Sequence, residues 1–409
     1  MKQDGQRELR PKLRFPGFQD EPGWEEKRLY AIAEPVSEKA EAADDAQVLT
    51  LSGEHGLVLQ SEYFGKRVAG SNSERYIKIA RNDFVYNDRT TKESAFGTIK
   101  RLSSYDGGIV SPIYKCFRFN GGENSVFWDW YFASGIHDAQ LRTLVNEGAR
   151  AGRFNISVDK FLATAVWRPS DLEQHKIADC LSSLDEVIAA EARKVEALEA
   201  CKKGLMQQLF PLEGETLPRV RFPEFRNTPA WEEKEVGEVF KVTRGDVLAM
   251  TLVQDDKTIE APFPVYSSQT KKRGLAGYYS DFLYENAITW TTDGANAGAV
   301  NYRPGKFYCT NVCGVLISNG GFANPCMAEL INSVSRKHVS YVGNPKLMNG
   351  VMAKISIPFP KIEEQRRIAD CLSSLEDLIV AQGEKLAALK AHEKGLMQQL
   401  FPTPEEDEA

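Results

Sequence analysis

The sequence predicts an α+β chain built twice over: two similar mixed α/β domains separated by two long helices, which pair within the chain as an antiparallel coiled coil of pseudo-two-fold symmetry. Three observations carry this. A 38-residue stretch at 174–211 recurs at 365–402, offset by 191 residues without an insertion and identical at 24 positions. Its apolar residues fall on a 4-3-4-3 ladder, the period of a coiled-coil seam. A second motif, PKLRFPGFQDEPGWEEK at 11–27, recurs as PRVRFPEFRNTPAWEEK at 218–234, ahead of each domain.

In the first helix the ladder is Ile177, Leu181, Leu184, Ile188, Val195, Leu198, Leu205 and Leu209; in the second it is Ile368, Leu372, Leu375, Ile379, Leu386, Leu389, Leu396 and Leu400. The unfilled rungs carry Glu191 and Lys202 in one copy, Gln382 and Glu393 in the other, so each helix has a narrow stripe rather than an apolar girdle. Near-identical stripes point to one shared mating surface. An antiparallel pairing within one chain brings Glu191 and Gln382 within about a turn of each other, a register device of the buried-polar kind. At about 1.5 Å per residue each helix spans about 57 Å and can serve as a spacer. Pro211 and Pro402 end the helices. Gly204 and Gly395 lie inside the ladders, where glycine costs about 1 kcal/mol against alanine. Two readings stay open for them: close approach of a partner's backbone, or a fraying last turn.

Taken in order, residues 1–10 are a polar tail expected to be disordered, and 11–165 form the first domain with its leading motif. The first spacer helix occupies 166–211, a Pro/Gly/acid linker 212–217, the second domain 218–358, the second spacer helix 359–402 and an acidic tail 403–409. In the first domain β-like runs (YIKIA, DFVYN, GIVSPIYKCFRF) precede a helix predicted from Ser125 to Gly148. The second has PFPVYSS, AITWTTDG, GAVNY and FYCTNVCGVLIS, then a polar segment near Pro325 to Arg336. The leading motif stands 163 residues ahead of the helix in the first half and 147 in the second. The scaffold is repeated while the payload has diverged, as two domains would that must recognise different things.

The net charge of −6 argues against a nucleic-acid partner until its distribution is read. Residues 63–168 hold 16 Lys and Arg against 10 acids, and 241–355 hold 12 against 8, while 17–62 hold 11 acids against 3 bases. Two basic domains are set in an acidic frame. No run reaches the roughly 18 apolar residues of a membrane span, and the first residues lack an apolar signal, so a cytoplasmic protein with no membrane partner is expected. Seven cysteines suit a reducing compartment, with Cys180 and Cys371 read as small buried hydrophobes. Cys309 and Cys313 with His338 make too weak a pattern for a metal site, and none is predicted.

There is no phosphate-cradling GxxxxGK[ST], no GxGxxG after a strand, no HExxH and no DPPY-type amino-methyltransferase motif. The chain therefore reads as a binding subunit without catalytic residues. The doubled helix carrying IADCLSSLD or IADCLSSLE and ending GLMQQLFP, alternating with two variable domains, resembles the specificity subunit of type I restriction–modification systems over nearly the whole chain. YNDRTTK (86–92), GGIVSPIYKCFRF (107–119) and TTDGANAGAVNY (291–302) are similar to that family as well. The resemblance implies that each domain is a target recognition domain for one half of a split duplex DNA site, and that the antiparallel helices are spacer and docking surface for two methyltransferase subunits. It further implies restriction/translocase partners, adenine methylation with S-adenosylmethionine and ATP-driven cleavage, all with their cofactors and Mg in partner subunits and none in this chain.

Split recognition needs Arg, Lys, Asn, Gln and Ser on loops. The DNA-binding candidates are Lys66, Arg67, Arg81, Asn87, Arg89, Lys92, Lys100, Arg101 and Tyr105 in the first domain, and Ser268, Gln269, Lys271, Lys272, Arg273, Asn296 and Lys306 in the second. Asn301 and Asn311 are set aside because they adjoin β-like runs. Gly294 and Gly298 suit a tight turn or a close phosphate. The competing readings are an RNA-binding adaptor, for which no RNP-like aromatic signature is found, and a purely scaffolding coiled coil, which leaves two basic domains unexplained.

Overall fold

The computed structural model describes residues 8–41, 47–65, 74–91, 94–144, 154–212, 214–268 and 271–402. The chain forms two compact units, one of residues 1–190 with 386–409, the other of 191–385. Each unit thus owns one globular domain, the near half of one long helix and the far half of the other.

In the first unit, an antiparallel three-stranded sheet joins Glu8–Leu9, Trp24–Arg28 and Ala165–Arg168. A four-stranded sheet runs in the order Ala33–Pro35, Lys115–Phe119, Phe84–Asn87, Thr98–Arg101, and a second in the order Gly56–Leu59, Val48–Ser52, Gly107–Val110, Ile77–Ala80. Phe84, Val85 and Tyr86 are all buried because both faces of their strand are covered. Phe84 and Tyr86 enter an aromatic core with Phe117, Phe119, Trp128 and Phe161, while Val85 and Cys116 on the opposite face meet Leu49, Leu57, Ile79 and Val110. Ring stacking at 4.8 Å, Phe119 on Trp128 and Tyr86 on Phe161, fills the larger core.

The helix predicted over 125–148 is broken. Helix α1 (Ser125–Ala133) stops before Gly135, whose φ of 79° leaves the helical region, and a separate helix covers Asp138–Leu144; residues 145–153 lie outside the described residues. Asn124 caps α1, its Oδ1 accepting from the Val126 and Phe127 amides at 3.0 Å.

Helix α2 is Asp171–Leu209, 39 residues long. The second unit carries a six-stranded sheet ordered Lys241–Arg244, Cys313–Ile317, Tyr284–Thr291, Val300–Cys309, Phe263–Tyr266, Leu275–Tyr279, and a two-stranded one of Glu232–Glu235 and Ser356–Phe359. The segment read as polar near 325–336 is a helix, α3 (Pro325–Ser335), whose Cys326, Met327, Leu330 and Ile331 are buried. Asn324 caps it and Pro325 opens it, so the polar start of the segment is the start signal of a helix. Helix α4 is Ile362–Leu400, again 39 residues.

Helix pairing is antiparallel within each unit. In the first, Ile177, Ala178 and Leu181 at the start of α2 pack with Leu396, Met397, Leu400 and Phe401 at the end of α4. In the second, Leu205, Met206, Leu209 and Phe210 at the end of α2 pack with Ile368, Ala369 and Leu372 at the start of α4. Gln382, buried, donates its amide to Glu191, which also takes the Lys385 ammonium; these bonds, Lys385 first, hold the Glu191 carboxyl below its usual range. The remaining ladder residues are buried (Ile188) or half-buried (Leu184, Val195, Leu198, Leu375, Ile379, Leu386, Leu389), while Val187, Leu378 and Val380 off the ladder are exposed. Nothing stands within 4 Å of where a Cβ would sit on Gly204 or Gly395. Cys180 and Cys371 are half-buried rather than buried, since both lie one position off the ladder, next to Leu181 and Leu372.

The leading motifs clasp the helices alike in both units. Arg14 makes a two-pronged pair with Glu173 (2.8 and 2.7 Å) and donates to the Glu21 and Pro22 carbonyls. Arg221 does the same with Glu364 (2.8 and 2.6 Å) and the Thr228 and Pro229 carbonyls. Leu13 N–H reaches the Gln399 carbonyl and Val220 N–H the Gln208 carbonyl, both at 3.0 Å, so each motif ties the start of one helix to the end of the other. Lys176 stands over the Phe15 ring and Arg367 over Phe222. Behind the clasp, buried Gln174 accepts from the Asn124 amide N–H and Gln365 from the Asn324 side chain, so each spacer helix is bonded to the residue that caps its domain's helix.

Candidate nucleic-acid interface

The first domain divides its candidates between two ends of the strand Phe84–Asn87. At one end Asn82, with φ 74°, turns the chain, and buried Asp83 fixes the turn by accepting from the Ala80 amide (2.7 Å) and from Arg118 (2.6 and 2.9 Å). Arg81 and Arg101 converge there: Arg81 bonds Asp106 (2.9 Å) and the Ser103 carbonyl, and Arg101 bonds the Asn82 side chain (2.8 Å) and Asp129 (3.3 Å). Tyr105 lies half-buried on the adjoining core and Lys100 half-buried on the neighbouring strand. At the other end stand Asn87, half-buried, and Arg89, exposed. Between them Asp88, wholly buried, accepts from Lys115 (2.6 Å) and the Ile156 amide (3.0 Å), tying the segment after Asn87 to the one that follows α1's domain helices. Lys66, Arg67 and Lys92 lie outside the described residues.

In the second domain, Ser268 is half-buried, Gln269 lies outside the described residues and Lys271 is described in its backbone alone. Lys272 (φ 47°, ψ 38°) and Arg273 (φ 52°, ψ 34°) are consecutive non-glycine residues in the left-handed region, a conformation costing about 1–2 kcal/mol each. The strained turn directs their side chains differently. Lys272 is exposed, whereas Arg273 pairs with Glu376 of α4, which also receives Lys202 of α2 at 2.8 Å. Asn296 lies in the turn of TTDGANAG, where Gly294 (φ 94°) and Gly298 (φ 82°) adopt the positive φ of a tight turn. Lys306 is exposed, its Nζ 4.4 Å from the Phe282 ring centroid, apart from that turn in sequence.

Ser267, Trp290, Asn296, Asn301, Arg303 and Arg336 line a pocket of about 170 Å³ in this domain. Asn301 adjoins a β-like run in the sequence and lies in the strand Val300–Cys309, but a strand alternates its side chains and the face carrying Asn301 and Arg303 opens on the pocket. Arg303 and Arg336 carried no signal: a basic residue inside a β-like run and one at a helix end look like solvated surface until the fold closes around them.

The family described as the type I restriction modification DNA specificity domain matches residues 229–391. A type I specificity subunit of Mycoplasma pneumoniae is 31% identical over 227 residues, covering 55% of this chain and 80% of that one. Another from the same organism, named as the N-terminus of such a subunit, is 36% identical over 143 residues, 34% of this chain and 75% of that one. The chain belongs to the type I specificity subunits. As a specificity subunit it shares its fold with a crystal structure of the type I restriction–modification S subunit from M. genitalium: TM-score 0.64 at 15% identity, covering 96% and 99% of the two chains. A chain from a structure concerned with complex assembly and conformational transition of the type I system matches at TM-score 0.54 and 17% identity. Among the described residues no helix is long and apolar enough to cross a membrane.

Proposed function

We propose that this specificity subunit reads a bipartite duplex DNA target, one half-site per domain, and docks two adenine methyltransferase subunits on its paired helices. Restriction/translocase subunits join through that complex. S-adenosylmethionine, ATP and Mg then belong to the partners, and this chain supplies recognition without catalysis. One observation carries the reading: the same clasp, Arg14 on Glu173 and Arg221 on Glu364, holds two domains whose sheets differ in strand number and order. A frame kept twice with different contents is what independent reading of two half-sites requires. The proposed contacts are Arg81, Asn87, Arg89, Lys100, Arg101 and Tyr105 in the first domain and Ser268, Lys272, Arg273, Asn296 and Lys306 in the second, together with Lys66, Arg67, Lys92, Gln269 and Lys271.

Binding to duplex DNA and to structured RNA, each measured at about 50 and 200 mM salt, tests this. The duplex should be preferred, with affinity falling steeply as salt rises. Preference for RNA would favour an adaptor, and no binding to either would favour a scaffold. Methylation by the chain alone should be absent and should appear when methyltransferase subunits are added.

A further inference from the structure

Among the described residues, arginines with buried side chains are met by carboxylates, with one exception. The side chains of Arg14 and Arg221 have Glu173 and Glu364. Arg303, 7% exposed, has neutral partners: its Nε donates to Thr289 Oγ1 (3.0 Å), a terminal nitrogen donates to the Arg273 carbonyl (2.7 Å), and its guanidinium carbon lies 3.7 Å from the Tyr266 ring centroid. The titratable groups facing it are Tyr266 and the thiols of Cys309 and Cys313, and no carboxylate among the described residues pairs with it. Burial accordingly pushes its pKa below the usual arginine range. A charge taken out of water without a counter-charge costs several kcal/mol, so a fold that keeps one leaves a place for an anion.

We infer that the pocket lined by Arg303 takes a phosphate of the DNA backbone. This rests on the duplex reading above. The rim offers what an oxyanion needs: the Ser267 hydroxyl, the Asn296 and Asn301 amides and the exposed Arg336. At about 170 Å³ the pocket is smaller than the roughly 300 Å³ at which small-molecule sites begin, which suits a single charged group. Arg303 also holds the Arg273 carbonyl, and so the strained turn whose Arg273 and Gly274 line the pocket and whose Lys272 is exposed. One guanidinium thereby receives the phosphate and fixes the basic turn next to it.

The full-length chain and its Arg303→Met, Arg303→Lys and Arg336→Ala variants should be titrated with a target duplex and an unrelated duplex from about 50 to 200 mM salt. Arg303→Met should weaken both duplexes in parallel and flatten the log–log salt slope by about 0.9, the loss of one phosphate contact. Arg303→Lys should keep the slope. A folded Arg303→Met with wild-type slope overturns the inference, and a loss confined to the target duplex overturns it in favour of a base contact. Should Arg303→Met fail to fold, Arg336→Ala, a surface change, decides: weaker binding to both duplexes with a flatter slope supports the site, and unchanged binding overturns it. Stabilisation of the DNA-free chain by millimolar inorganic phosphate, with Arg303→Met leaving the DNA slope intact, would assign the pocket to a free anion instead. A wild-type chain that binds no duplex would fail the functional reading itself, a distinct outcome.

Discussion

Glu364 receives two bonds from Arg221 and a third from Trp231 Nε1 at 2.9 Å, whereas in the first unit the indole nitrogen of the matching Trp24 has no hydrogen-bond partner among the described residues. Removing one partner of a buried ion pair typically costs about 3–5 kcal/mol, because the other charge stays buried. Arg14→Ala and Arg221→Ala should therefore each lower the urea midpoint sharply, and Arg14→Ala by more, since Glu173 keeps no indole bond. Equal losses would mean the indole contributes nothing. The arginines were legible as repeated residues, but Glu173 and Glu364 stand one place ahead of the repeats at 174–211 and 365–402, so their partnership was not. The glycines in the ladders carry a second prediction. With open space at each Cβ position, Gly204→Ala and Gly395→Ala should each stabilise the isolated chain by up to about 1 kcal/mol in thermal melts. If those variants are stabilised yet fail to assemble with methyltransferase subunits, the glycines are there for a partner's backbone; normal assembly leaves the fraying-turn reading.

At the scale of the helix, the two ends of the seam share a frame and differ in charge. Lys202 faces Glu376 in the second unit, and the matching positions in the first hold Glu393 and Asp185. Burial first, and then the Asp185 charge, raise the Glu393 carboxyl above its ordinary range, and one of its oxygens is buried without a hydrogen-bond partner among the described residues. A carboxyl whose folded pKa is raised costs stability at neutral pH and recovers it as pH falls through the carboxylate range. Glu393→Lys should thus raise the melting temperature at pH 7 by about 1–2 °C, as befits a partly exposed pair, with the advantage shrinking toward pH 4. An advantage that grew on acidification would contradict the assignment. The ladder and its unfilled rungs made the antiparallel register readable, because local spacing decides which residues share a helix face. Sheet order was not readable: Val48–Ser52 lies parallel to Gly107–Val110, a pairing between residues some 60 apart that no local pattern encodes. Nor was the break at Gly135, since a lone glycine in an apolar-rich run is tolerated as often as it terminates.

At the scale of the molecule, the helices and the domains should control separate properties of the target. Deleting one heptad from both α2 and α4 keeps each ladder on its face and shortens each helix by about 10 Å, close to 3 base pairs at about 3.4 Å each. The half-site sequences should survive, while the preferred spacer contracts or binding fails because the half-sites also rotate about the DNA axis. Retention of the original spacing by a folded, assembled deletion variant would mean that something other than the helices sets it. Independent reading by the two domains is tested by replacing residues 28–165 with the corresponding domain of another specificity subunit and mapping methylated adenines by long-read sequencing in a host carrying the complete system. One half of the methylated sequence should change and the other persist unaltered, whereas simultaneous change in both halves would mean that the domains do not read separately.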